Sequence, residues 1–272
     1  MNYHKKIIAS FFLILTLASG VSASRTEEDN PQRASIVIDV KSGDILAAEN
    51  HDAPCYPASL TKMMTLLLLF DGIEKGKLLL NDKFIVSKNA SDKQGSILNF
   101  KPRDEISVED AILALAVKSA NDVAVVVAEG IEGSESAFAT TMTKKAKELG
   151  MKNTTFKNAS GWFNTEHKST AQDMAILLRA LYETYPQYYE YLGRKTFTFK
   201  GVEYENGNNL LGKYPGLDGS KTGFIAKSGY CIAASAQRRG SRLIVVVLGE
   251  NSSSDRDQHV TKLLDSGFNQ KE

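Results

Sequence analysis

Residues 60 to 70 read LTKMMTLLLLF, and the single charge among them is Lys62. The Met and Leu content favours helix over strand. Apolar side chains fall on every face, so such a helix is buried all round. It is also too short for a bilayer, which takes ~20 residues. The fold must therefore enclose this helix and take Lys62 in with it. Ser59 stands three residues earlier, and positions i and i+3 of a helix share a side. Pro57 sets Ser59 near a positive helix N-terminus. A serine is a poor nucleophile until a base takes its proton. A lysine can be that base only if its pKa falls well below ~10.4. Burial and a second cation both push it down. Taken alone, the Ser59-Lys62 spacing also fits an ordinary helix start with an exposed lysine.

The pattern around this helix changes along the chain. Ile36 to Val40 reads as a buried strand, Lys41-Ser42-Gly43-Asp44 as a turn, and Ile45 to Ala48 as the returning strand. The middle is helical. Ser107-Val108-Glu109-Asp110 resembles a cap for a helix at Ala111 to Val117. Further helices are expected at Asp122 to Ala128 and at Ser136 to Leu149, the latter stopped by Gly150. Ser169-Thr170-Ala171-Gln172 reads as a capping box for a helix to about Tyr185. Strands return at Thr196 to Phe199, Leu217 to Thr222, Tyr230 to Ala236 and Leu243 to Leu248, with Arg239-Gly240-Ser241 as a turn. Thr261 to Gly267 would be a closing helix. Strands at both ends with helices between predict an α/β (α+β) chain. One antiparallel sheet is built from both ends, with an all-helical insertion.

Residues 1–23 read as a secretory signal peptide: Lys5 and Lys6, an apolar stretch from Ile7 to Leu17, and Val21-Ser22-Ala23 for cleavage. The apolar run is short for a membrane anchor. Ser24 to Arg33 is polar and aperiodic, a disordered lead-in. The folded domain is expected over 34–272. The formal charge of +1 loses two lysines with the signal and becomes −1, which gives no support for nucleic-acid binding. Export permits a disulfide between Cys55 and Cys231; two partly buried free thiols are the favoured reading. Neither cysteine has a CxxC or Cys/His neighbourhood, and the four histidines are scattered, so no metal site is expected.

Two more short motifs follow the first. Ser119-Ala120-Asn121 interrupts the apolar segments VEDAILALAV and DVAVVVAEG. Its hydroxyl can pass a proton towards a leaving amine. Its amide can bond both the lysine and a substrate carbonyl. Lys221-Thr222-Gly223 lies in LDGSKTGF before two strands. Gly223 leaves room for a substrate backbone at a strand edge. Lys221 and Thr222 can hold a carboxylate by charge and hydroxyl.

The three motifs in this order resemble the serine D-Ala-D-Ala carboxypeptidases, the low-molecular-mass penicillin-binding proteins. YPASLTKMMT, LGMKNTTF, STAQDMA and YPGLDGSKTGF are similar to that family too. The resemblance spans about Arg33 to Phe268 and implies a β-lactamase/transpeptidase-like fold. It implies Ser59 as acylated nucleophile, Lys62 as base, and Ser119 with Asn121 as relay and positioning pair. Lys221 and Thr222 become carboxylate contacts, and the N–H groups of Ser59 and Phe224 an oxyanion hole. Arg256, ahead of the closing helix, matches a family arginine near the carboxylate; a surface salt bridge fits it equally well. No cofactor is implied. The implied partners are peptidoglycan stem peptides, with β-lactam antibiotics as covalent inhibitors.

Phe224 departs from the family, where histidine or another polar residue is common after the third motif. The end, LLDSGFNQKE, does not resemble the C-terminal membrane helix of larger relatives, so an enzyme of the periplasm or outer envelope face without that anchor is expected. Three rivals remain. One is a D,D-endopeptidase acting on cross-links, and another a non-catalytic peptidoglycan-binding protein. The third, a class A β-lactamase, would carry an E-x-x-L-N glutamate; between Asn121 and Lys221 none occurs, and Glu166 stands in NTEHKST without it.

Overall fold

Valine, isoleucine and leucine fill both faces of the central strands, and this places the sheet between two layers of helix. The computed structural model describes residues 32–271. Its strands are β1 (Ala34–Asp39), β2 (Ile45–Glu49), β3 (Lys83–Ile85), β4 (Glu105–Ser107), β5 (Thr196–Phe199), β6 (Val202–Glu205), β7 (Leu217–Ile225), β8 (Gly229–Arg238) and β9 (Ser241–Glu250). Its helices are α1 (Lys62–Glu74), α2 (Lys88–Ser91), α3 (Val108–Leu113), α4 (Asn121–Glu132), α5 (Glu135–Glu148), α6 (Ala171–Thr184), α7 (Pro186–Tyr189) and α8 (Ser253–Asn269). The main sheet runs β2-β1-β9-β8-β7, antiparallel throughout. The expected sheet from both chain ends is therefore present, with α1 to α7 inserted between β2 and β7, but the insertion is not all-helical, because it also carries the hairpins β3–β4 and β5–β6. The signal peptide and nearly all of the lead-in lie outside the described residues.

Side chains alternate faces along a strand, and the core divides accordingly. Val37, Leu243, Val245 and Val247 meet Val260, Leu264 and Phe268 of α8. Ile36, Ile38, Ile244 and Val246 belong to the larger cluster with α1, α4 and α6. α1 is buried from Lys62 to Phe70, as its all-round apolar sequence requires. The β8–β9 connection has positive φ at Arg239 (47°) and Gly240 (83°), the backbone of a tight hairpin turn whose twist matches its strands.

Several boundaries differ from the sequence reading. Ser107 does cap α3, accepting from Asp110 N at 3.0 Å. That helix ends at Leu113 and continues as a π-helical turn, Ala114–Lys118. The cap of α6 is Thr170, which accepts from Asp173 N at 3.0 Å; Ser169 instead bonds Thr154 at 2.8 Å. α8 starts eight residues before Thr261, at Ser253, where Ser252 accepts from Asp255 N. Arg256 consequently lies inside this helix rather than ahead of it. β5 matches the strand expected at Thr196 to Phe199, whereas β3, β4 and β6 are too short and too polar to show a periodicity. Among the described residues no helix is long and apolar enough to cross a membrane.

Candidate active site

Ser59 lies in a 3-10 turn, Ala58–Thr61, that runs straight into α1 at Lys62. In a 3-10 turn residues i and i+3 eclipse, so Ser59 and Lys62 face the same way. Ala58, just before the nucleophile, has φ of 48°, an uncommon and strained conformation for a residue with a Cβ. Gly161 (φ 82°) packs against it so closely that a Cβ there would collide with the Ala58 carbonyl. Behind the turn, Thr61 Oγ1 is 2.9 Å from His167 Nε2. His167 Nδ1 accepts from Lys157 N at 3.2 Å, so Nε2 carries the proton and donates to Thr61. Burial lowers the His167 pKa to about 4 and keeps the ring neutral.

Lys62 is fully buried. Its Nζ is 3.0 Å from Ser59 Oγ, 2.8 Å from Asn121 Oδ1 and 2.7 Å from the Ser160 carbonyl. A neutral amine has two N–H donors and one lone pair. Asn121 and Ser160 can only accept here, so they take the two donors. The lone pair is left for the Ser59 hydroxyl. Burial, and then the charge of Lys221, hold the Lys62 pKa well below its ordinary value, while Asp122 opposes them. Asp122 is itself pushed up by burial and accepts from Leu98 N at 2.8 Å.

The second motif sits where the π-helical turn breaks. Ser119 adopts left-handed φ 60°, ψ 38°, and α4 starts at Asn121. Asn121 is fixed by three bonds: its N to Ser96 O at 2.7 Å, its Nδ2 to Gln94 O at 2.7 Å, and its Oδ1 from Lys62. These oblige its amide oxygen to face the lysine. Ser119 Oγ is buried without a hydrogen-bond partner, which is unusual for a buried hydroxyl.

The third motif lies on β7, the edge strand beside the nucleophile turn. A Cβ added to Gly223 would stand 2.9 Å from Ser59 N and 3.3 Å from Leu60 N. Only glycine allows that approach. Lys221 is 2 % exposed, and its Nζ donates to Thr222 O at 3.0 Å. Burial, then Arg256, lower its pKa to about 7. Arg256 is no surface salt-bridge residue. It is 3 % exposed, pairs with Asp257 at 2.6 Å and donates to Gly207 O at 3.3 Å. Thr222 Oγ1 would stand 2.8 Å from a Cβ on that same Gly207, so Thr222 and Arg256 converge there. Phe224 is half exposed and packs on Tyr230 with ring centres 4.5 Å apart.

Of the nine residues named from sequence, Ser59, Lys62 and Asn121 meet at one turn, Lys221 to Phe224 line the adjoining strand edge, and Arg256 acts on Lys221; Ser119 adjoins them in the chain, two residues before Asn121. The Ser160 carbonyl, Gln94, Asp122, His167 and Gly161 were not legible in the sequence, because their parts are played by backbone atoms or by second contacts. Glu166 is elsewhere, exposed and paired with Lys157 at 3.2 Å. Cys55 and Cys231 are free thiols. Burial raises the pKa of both, Cys231 to about 11, so both are unreactive near neutral pH.

An antiparallel sheet with an inserted helical body, and a serine paired with a buried lysine at their junction, define a serine acyl-transfer enzyme of the penicillin-binding, β-lactamase-like fold. The profile of the S11 peptidases, D-alanyl-D-alanine carboxypeptidase, matches residues 21–252, and the chain belongs to that family. D-alanyl-D-alanine carboxypeptidase DacF of Bacillus subtilis is 38% identical over 271 residues, covering 96% of this chain and 69% of the relative. Penicillin-binding protein 5 of Haemophilus influenzae superimposes with a TM-score of 0.84 at 35% identity, over 86% of this chain and 70% of that one. Penicillin-binding protein D2 of Listeria monocytogenes, solved in a cefotaxime-bound form, gives 0.79 at 33% identity over 86% and 96%.

Proposed function

We propose that this chain is a serine D,D-carboxypeptidase that removes the terminal D-alanine of peptidoglycan stem peptides. Ser59 Oγ attacks the D-Ala–D-Ala carbonyl and passes its proton to Lys62. The N–H groups of Ser59 and Phe224 hold the developing oxyanion, where each such donor typically matters by ~10²–10³ in rate. Lys221, Thr222 and Arg256 hold the terminal carboxylate. The proton then goes to the leaving nitrogen by way of Ser119, D-alanine departs, and water cleaves the acyl-enzyme. The reading is carried by Lys62 Nζ, held by two acceptors with its lone pair towards Ser59. Export by the signal in residues 1–23 would bring the enzyme to its substrate at the outer face of the membrane. Incubation with a peptide ending in D-Ala-D-Ala tests the reading: free D-alanine is expected, and its absence overturns it.

β-Lactams present a strained amide and a carboxylate to the same groups, and their leaving group stays tethered. Penicillin is expected to leave a long-lived adduct on the peptide containing Ser59, seen by mass spectrometry. Rapid turnover of the drug would point to a β-lactamase instead. Glu166→Ala is expected to leave the adduct's lifetime unchanged, because this carboxylate makes only an exposed ion pair with Lys157, and such pairs contribute little. A markedly longer lifetime would give Glu166 a part in deacylation.

A further inference from the structure

Thr61 stands between the nucleophile and its base, at the last position of the 3-10 turn, which is also the cap position of α1. A threonine there ordinarily accepts from a backbone N–H of the first helical turn. Thr61 makes no such bond. Its backbone is already helical, at φ −46° and ψ −37°. Its buried hydroxyl instead lies 2.9 Å from His167 Nε2. We infer that His167 is a positioning residue for acylation: acting through Thr61, it sets the direction in which Ser59 Oγ and Lys62 Nζ face the substrate. The inference rests on Ser59 as the nucleophile of the proposed reaction and names a residue that governs its aim.

The turn needs such a hold. Ala58 keeps a left-handed φ of 48°, and strain of that kind persists only where the surroundings over-determine it. Residues 159–161 supply part of the restraint. The Ala159 carbonyl accepts from Thr65 Oγ1 at 2.7 Å, the Ser160 carbonyl accepts from Lys62, and Gly161 packs on the Ala58 carbonyl. His167 supplies the rest from the far end of the same loop, which the backbone pair Thr155 and Lys168 closes at 2.9 and 3.1 Å. Its ring meets Phe156 edge to face, with centres 5.4 Å apart. Nδ1 takes the N–H of Lys157, and the Nε2–H goes to Thr61. One buried ring therefore ties the start of the bracing segment to the nucleophile turn.

The groups proposed to hold the substrate's carboxylate stand on other elements. Lys221 and Thr222 belong to β7, and Arg256 to α8. Among the described residues the His167 ring bonds only Thr61 and Lys157. Loss of this strut should therefore leave binding alone and slow the chemical step. Ser59 Oγ must stay 3.0 Å from Lys62 Nζ while it aims at a carbonyl carbon, and a misplacement of about 1 Å can cost about 10²-fold in rate.

The test separates binding from acylation. The observed rate of penicillin labelling, followed against drug concentration, yields a dissociation constant and a rate constant for acylation. His167→Asn keeps an acceptor where Nδ1 stood and is too short to reach Thr61. Thr61→Val removes the hydroxyl and keeps the side chain's shape. Each is expected to lower the acylation rate constant about 10- to 100-fold and to leave the dissociation constant unchanged. The double variant should be no slower than the slower single one, because both changes remove the same bond. His167→Gln, whose amide N–H reaches where Nε2 stood, and Thr61→Ser should recover most of the rate. A merely structural role would lower the melting temperature and the labelled fraction but not the rate constant. That result, equal damage to binding, or additive losses in the double variant overturns the inference. Should His167→Asn not fold, the two Thr61 variants decide alone. An unaltered enzyme that penicillin does not label would instead sink Ser59 as the nucleophile, and this inference with it.

Discussion

Lys62→Arg is expected to lower the rate of Ser59 acylation by about 10²- to 10⁴-fold, the usual contribution of a positioned general base. Arginine keeps a cation at the site but does not deprotonate in a protein. In the unaltered enzyme burial and the neighbouring Lys221 both act against the amine's charge and lower its pKa. Its two N–H groups are taken by Asn121 and Ser160, so the remaining lone pair has one direction in which to accept a proton. A guanidinium is larger as well as charged, and the site is closed around it. Lys62→Met provides the companion variant: it has a similar length, brings no buried charge, and has no lone pair of comparable basicity. Stopped-flow labelling by a fluorescent penicillin reads the rate, and thermal melting reads the fold. Acylation by either folded variant at the unaltered rate would remove Lys62 from the role of base.

Much of this arrangement could be read from the chain. The sheet from both ends followed from strands that alternate or are buried throughout, and α1 followed from an apolar run with no polar face. The nucleophile turn was legible because Ser59 and Lys62 keep a fixed spacing on one element. What escaped was of two kinds. Short segments such as β3 and β4, three residues each, hold too few side chains for a period to emerge. Backbone partners leave no residue signature at all: the Ser160 carbonyl serves Lys62 whatever the side chain at 160 is. Gly161 was visible as a glycine, but its need was not, since that arises from the Ala58 carbonyl packed against it, a contact between residues a hundred positions apart. Arg256 misled in another way. It was placed ahead of the closing helix, where a carboxylate contact and a surface salt bridge fitted equally well, yet α8 already begins at Ser253 and buries the guanidinium with Asp257.

The pH dependence of the reaction follows from two lysines that must differ in charge. Lys62 works neutral, so kcat/KM should rise with pH as it loses its proton. Lys221 works charged, so kcat/KM on a substrate with a free terminal carboxylate should fall as pH climbs through its own pKa. Burial and Arg256 depress that pKa, so the falling limb is expected below the ~10.4 of an ordinary lysine. An analogue with an amidated C-terminus makes no demand on the Lys221 charge and should keep its rate to higher pH. Lys221→Ala should then do two things. It should harm the acid substrate more than the amide, by about tenfold or more, since bonds between charged partners are roughly twice as strong as neutral ones. It should also move the rising limb to higher pH, because removing a neighbouring cation raises the Lys62 pKa. Matched acid and amide peptides assayed across pH decide the matter. Equal losses on both at every pH would show that Lys221 does not read the carboxylate, and would favour a cross-link-cutting endopeptidase, whose substrate need not end there. An unmoved rising limb would show instead that burial alone keeps Lys62 neutral.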